Sequence, residues 1–115
     1  MTEHVERACD AALTRAFSVL GKRWNGMILS VVAQGPTAFS ELRRALGTIS
    51  DSVLSERLTE LAAAGLVERT VEPGPPVAVS YGLTASGSAL TPALQLLARW
   101  AADSLPDGDR LVAAG

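Results

Sequence analysis

The stretch S-D-S-V-L-S-E-R-L-T-E-L-A-A-A-G-L, residues 50–66, leaves the chain little local choice but a helix with a defined start and stop. Ser50 can accept a hydrogen bond from an orphan amide of the first turn, which makes it an N-cap. Asp51 then places a negative charge beside the positive end of the helix dipole. Gly65 ends the helix, since glycine enters the left-handed conformation at little cost. Leu54, Leu58 and Leu61 recur at i, i+4 and i+7 and form one apolar stripe. At about 100° per residue, Ser52, Glu56, Thr59 and Ala63 lie opposite it, with Val53 and Ser55 at the flanks. A small, hydrogen-bonding face backed by leucines suits a helix presented to a DNA major groove. An ordinary surface helix shows the same division, so the rest of the chain decides.

On the N-terminal side, Leu13, Phe17 and Leu20, with Ala16, share one face of a helix running from Ala8 to Leu20. Gly21 interrupts it. Lys22, Arg23 and Trp24 lead into the apolar run N-G-M-I-L-S-V-V-A, whose length favours a buried helix over a strand. Gln34, Gly35 and Pro36 end that helix with a C-cap glycine and a proline. Thr37, Ala38 and Phe39 form a short extended piece. Residues 40–46 make a short helix, with Leu42 and Leu46 inward and Glu41, Arg43 and Arg44 toward solvent. Gly47, Thr48 and Ile49 turn the chain into the Ser50 helix, completing a helix-turn-helix pattern.

After Gly65 the pattern becomes extended. Residues 66–71 and 77–83 read as two strands around the turn E-P-G-P-P, a hairpin whose tip is a wing. Thr84 caps a last helix to about residue 105. Pro92 inside it is expected to kink it. Leu90, Leu94, Leu97 and Ala101 form its apolar stripe, with Leu96 and Trp100 beside it. Pro106, Asp107 and Gly108 end it, and a loose tail is expected to follow. The fold class is therefore mainly α with a small β-hairpin (α+β), a winged helix-turn-helix in one domain. It divides into N-terminal helices (8–33), helix-turn-helix (40–64), wing hairpin (66–83) and C-terminal dimer helix (84–105).

A domain of 115 residues has a limited core. Leu13 and Phe17 at one end, and Leu90, Leu94, Leu97 and Trp100 at the other, offer more apolar surface than that core needs. A second copy of the chain should cover them. No apolar run approaches the roughly 20 residues of a membrane span. Met1, Thr2, Glu3 and His4 lack signal-peptide character. No membrane partner and a cytoplasmic location are expected. His4 has too few companions for a metal site, and the single Cys9 excludes an internal disulfide. With no acid/base pair, nucleophile triad or phosphate-cradling loop, neither an enzyme nor a cofactor is expected. A net charge of −2 argues against a strongly basic nucleic-acid coat, though not against a binder that localises its few arginines.

Several segments, in order and spacing, resemble the HxlR-type bacterial transcription regulators. They are G-K-R-W at 21–24, G-P-T-A-F-S-E-L-R-R-A-L at 35–46, I-S-D-S-V-L-S-E-R-L at 49–58, E-L-A-A-A-G-L-V-E-R at 60–69, P-P at 75–76 and L-T-A-S-G-S-A-L-T-P at 83–92. The resemblance implies a homodimeric DNA-binding regulator, by family habit a repressor. Its outer helices would form the dimer, and its two recognition helices would enter successive major grooves of a near-palindromic site. Many members sense oxidants or electrophiles with a cysteine shortly before the first core helix, the place Cys9 occupies. A small-molecule inducer is a further partner to expect.

Two departures stand out. The family often has proline, a basic residue and glutamine near the start of the recognition helix, where this chain has Asp51, Ser52 and Glu56. The wing turn, residues 72–77, contains no lysine or arginine. Between Pro36 and Tyr81, four basic residues (Arg43, Arg44, Arg57, Arg69) face six acidic ones (Glu41, Asp51, Glu56, Glu60, Glu68, Glu72).

On this reading the DNA-facing residues are Ser40, Arg43, Arg44, Ser50, Ser52, Val53, Ser55, Glu56, Arg57 and Thr59. Arg43 and Arg44 would hold phosphates, or else form a solvated face with a glutamate pair. Arg57 could reach a phosphate or pair with Glu60 or Glu41. Glu56 can accept from cytosine N4 but repels phosphates. Ser52, Val53 and Ser55 suit small polar or thymine-methyl contacts. Trp24 and Trp100 fit core or interface better than a ligand pocket. Cys9 is either an inert thiol, with the Asp10 carboxylate opposing a reactive thiolate, or a sensor acting across subunits because the chain has no second thiol. A different class of function also fits the acidic head: a winged-helix interaction module with weak DNA affinity, working through a protein or small-molecule partner.

Overall fold

Both ends of the Ser50 helix are built as the residues require. In the computed structural model, which describes residues 7–107, the helix α4 spans Asp51–Ala63. The Ser50 hydroxyl accepts from the Val53 amide at 3.2 Å. At the other end Gly65 turns left-handed, with φ +79°. The Gly65 amide donates to Ala62 and the Leu66 amide to Leu61, each at 3.0 Å, so the last carbonyls of the helix are satisfied.

The other elements, in chain order, are α1 (Ala11–Leu20), α2 (Asn25–Val32), β1 (Thr37–Ala38), α3 (Phe39–Leu46), β2 (Val67–Glu72), β3 (Ala78–Leu83) and α5 (Ala85–Ser104). Leu54, Leu58 and Leu61 meet Ile28, Leu29 and Val32 of α2, Leu42 of α3, Ile49 and Val67 in one buried cluster. Each fully buried aliphatic side chain contributes about 1.5–3 kcal/mol. Burying one stripe of α4 fixes its opposite stripe toward solvent.

The structure departs from the sequence expectations in several places. α1 begins at Ala11 rather than Ala8, because the Asp10 carboxylate caps it by accepting from the Leu13 amide at 3.0 Å. α2 ends in right-handed Ala33 and not in a glycine cap. Trp24, just before α2, is left-handed at φ 82°. The polar Asn25 is buried, and its Nδ2 donates to the Val19 carbonyl at 2.8 Å, tying α1 to α2. Phe39 starts α3 and is not extended. Glu41 reaches back to the Ala38 amide at 2.8 Å, which holds this first turn. The short piece Thr37–Ala38 pairs with β3, so the expected hairpin is a three-stranded antiparallel sheet in the order β1-β3-β2. Pro92 lies inside α5, as expected. His4 and the tail beyond Asp107 lie outside the described residues.

The start of α5 is fastened to the end of α4. The Thr84 hydroxyl accepts from the Gly87 amide at 3.1 Å and donates to the Gly65 carbonyl. The Thr84 amide donates to the Leu66 carbonyl at 3.1 Å. Gly87 is buried, and a Cβ there would overlap the Leu66 carbonyl oxygen.

Candidate nucleic-acid interface

The leucine stripe turns Ser52, Ser55, Glu56 and Thr59 outward, and all four are exposed. Two of them carry local hydrogen bonds: Ser52 Oγ lies 3.4 Å from Ser50 Oγ, and the Thr59 hydroxyl donates to the Ser55 carbonyl at 2.9 Å. Ser50 is exposed too, but its oxygen serves the helix cap. Val53 lies at the edge of the outer face and is partly buried against the core.

Ser40, Arg43 and Arg44 are exposed on α3, and with Gly47 they line a shallow concavity of about 290 Å³ beside α4. Arg43 Nε is 3.0 Å from Asp51 Oδ1, so one cation of α3 is paired with the first residue of α4.

Arg57 does not join this outer group. Its side chain is only 15% exposed, and its Nη2 lies 3.0 Å from Glu56 and 2.9 Å from Glu60. Glu60 also receives Lys22 Nζ at 3.1 Å. In the structure Arg57 is engaged by glutamates of its own helix, and it is the Lys22–Glu60 pair that ties α4 to the α1–α2 turn. Nothing in the residue pattern pointed to Lys22, which is 38 positions away from Glu60.

The same contacts explain the acid-rich head. Glu41 caps α3, Asp51 holds Arg43, and Glu56 and Glu60 hold Arg57. Each of these carboxylates therefore presents less free charge to a phosphate than composition suggests.

The apolar residues expected at a subunit interface divide in two. Leu90 and Leu94 pack partly buried against the chain's own core. Leu13 (56% exposed), Phe17 (53%), Leu97 (44%) and Trp100 (54%) stay open, as does Leu96. Trp24 packs against the core, with the Arg23 guanidinium 4.7 Å from its ring centre. Cys9 is exposed just before the Asp10 cap, and it shares an open, mostly apolar depression with Leu13 and Phe17. Among the described residues no group of His, Cys, Asp and Glu could hold a metal ion, and no helix is long and apolar enough to cross a membrane.

Comparison with known proteins places this arrangement. The model of a family described as HxlR-like helix-turn-helix matches residues 19–109. The HTH-type transcriptional regulator YodB of Bacillus subtilis is 46% identical over 94 residues, which is 82% of this chain and 84% of YodB. The solved reduced form of YodB superposes with a TM-score of 0.77 at 42% identity, covering 88% of this chain and 99% of that one. The quinone-bound form of YodB gives 0.71 at 39% identity, covering 83% and 99%.

Proposed function

The chain belongs to the HxlR-like helix-turn-helix family and is a DNA-binding transcription regulator, and from that premise we propose that it acts as a homodimer reading a near-palindromic operator with α4. The outward stripe Ser52, Ser55, Glu56 and Thr59, backed by a buried leucine stripe, carries this reading. Arg44 and Ser40 seat the neighbouring phosphates in the concavity beside α4. Leu13, Phe17, Leu97 and Trp100 form the subunit contact, which spaces the two α4 helices to half-sites about 34 Å apart. The role is non-catalytic, repressing, and exercised in the bacterial cytoplasm. The cap made by Glu41 and the ion pairs of Asp51, Glu56 and Glu60 support this reading over an interaction module that has given up DNA.

Exchanging side chains on the two faces tests the reading. Arg44→Ala should weaken binding to every duplex alike and lower the slope of log affinity against log salt by about 0.9 per subunit. Ser55→Ala or Glu56→Ala should instead reorder preferences among sites by about 1–3 kcal/mol, since base edges carry the sequence information. If all three variants shift every duplex by one common factor, α4 is not the reader.

Cys9 lies beside the exposed Leu13 and Phe17, so its modification would act at the subunit contact. We assign it the sensing of oxidants or electrophiles, with a small ligand at the same interface as the remaining route of induction. A quinone-like electrophile should release the parent from its operator and leave Cys9→Ser bound. Equal release of both proteins would make Cys9 a passenger and direct attention to a noncovalent inducer.

A further inference from the structure

The wing tip of this protein carries no cation, yet its base carries one in an unusual position. Arg69 pairs in register with Tyr81, Val67 with Leu83, and Val71 with Val79. Cross-strand partners share a face of the sheet, and side chains alternate along a strand. Arg69 therefore sits on the face that buries Val67 and packs Tyr81 and Leu83 against the core, the face turned to α4. Glu68 and Glu72 are one residue out of step and fall on the opposite face. The hairpin thus separates its charges, with the cation toward the reading helix and both acids away from it.

Between them, α4 and this face enclose a groove of about 380 Å³ lined by Ser55, Leu58, Thr59, Ala62, Arg69 and Tyr81. No carboxylate lines it. Of the four arginines in the head, Arg43 and Arg57 are engaged by acids. Arg44 and Arg69 enter none of the ion pairs among the described residues, and they flank α4 from opposite sides, one on α3 and one on the sheet.

We infer that Arg69 is a phosphate anchor, and that the groove between α4 and β2–β3 takes the sugar–phosphate backbone of the strand flanking the major groove. Small side chains of α4 on the facing wall leave room for the backbone, and Arg44 grips the other strand. Arg69 thereby takes over the backbone contact that a basic wing tip would make. The inference rests on the DNA-binding reading, and its test separates the two.

Binding of a fluorescent random-sequence duplex, and of the duplex upstream of the chain's own gene, is measured by anisotropy across a salt series. Arg69→Ala should bind both duplexes roughly five- to thirtyfold more weakly. Its slope of log affinity against log salt should fall by about 0.9 per subunit. Arg69→Lys should restore most of the slope, which a purely structural role of the guanidinium would not explain. Ala62→Glu, an exposed helix position, should weaken binding at least as much by placing a carboxylate in the groove. A parent that binds with a steep salt dependence, alongside an Arg69→Ala variant of unchanged slope and affinity, overturns the anchor and leaves the DNA-binding reading standing. A parent that binds neither duplex overturns both.

Discussion

Phe17→Glu is expected to abolish the proposed dimer at micromolar concentration, and to take operator binding with it. Phe17 is 53% exposed on α1, beside Leu13 on the same helix and on the same surface as Cys9. An aromatic ring buries roughly 150–250 Å² when covered, and a partner subunit would bury this one. The substitution removes that burial and places a carboxylate in an apolar contact. In a two-fold dimer it does so twice. At about 2–4 kcal/mol for a central aromatic, the dimer dissociation constant should rise by about a thousandfold or more. Light scattering reports the mass, and circular dichroism checks that the monomer keeps its helices. A variant that still scatters as twice the chain mass would move the interface elsewhere.

Gly87→Ala should be a strongly damaging single-methyl change. Two effects oppose each other at this position. Alanine favours a helix over glycine by about 1 kcal/mol, which would stabilise α5. The added Cβ, however, meets the Leu66 carbonyl oxygen, which is backbone just after α4 and cannot rotate away. Overpacking of this kind costs about 1–3 kcal/mol and sometimes more. The clash should win, lowering the melting midpoint by about 5–10 °C. Because Thr84 bonds both Gly65 and Leu66, the shift should also loosen the join between α4 and α5. Operator affinity should therefore fall even where the variant remains folded. A variant as stable as the parent would show that the join gives easily.

How far the sequence could be read depended on whether the signal was local. The α4 helix was legible to within a residue because its cap, its leucine spacing and its glycine stop are all local. Thr84 and the last helix were legible for the same reason. Asp10 was read only as a neighbour of Cys9, and its second role, as the N-cap of α1, went unnoticed. The strand β1 showed itself as extended chain, but its partner on β3 lies more than forty residues away, and short-range pattern carries no such pairing. Left-handed Trp24 and buried Asn25 contradict the ordinary preferences of their residue types, so only the tertiary setting reveals them.

The candidate site was legible as a face and not as a circuit of charges. Ser52, Ser55, Glu56 and Thr59 follow from helical geometry once Leu54, Leu58 and Leu61 are taken as core. Counting acids against bases gave a misleading picture, because charge acts through position. Only the structure shows Asp51 on Arg43, Glu60 between Lys22 and Arg57, and Glu68 on the far side of the sheet from Arg69.

The two stripes of α4 also bear on how such a protein diverges after gene duplication. Ser52, Ser55 and Thr59 are exposed and make only local hydrogen bonds, and exposed substitutions of this kind usually stay within about 0.5 kcal/mol in stability. On the proposed reading, a copy of the gene could therefore exchange its letters of recognition one at a time without passing through an unfolded intermediate. Leu54, Leu58 and Leu61, one or two residues away in each case, have no such licence. Vocabulary and grammar are carried on opposite sides of the same thirteen residues, so lineages can acquire new operators while keeping one scaffold.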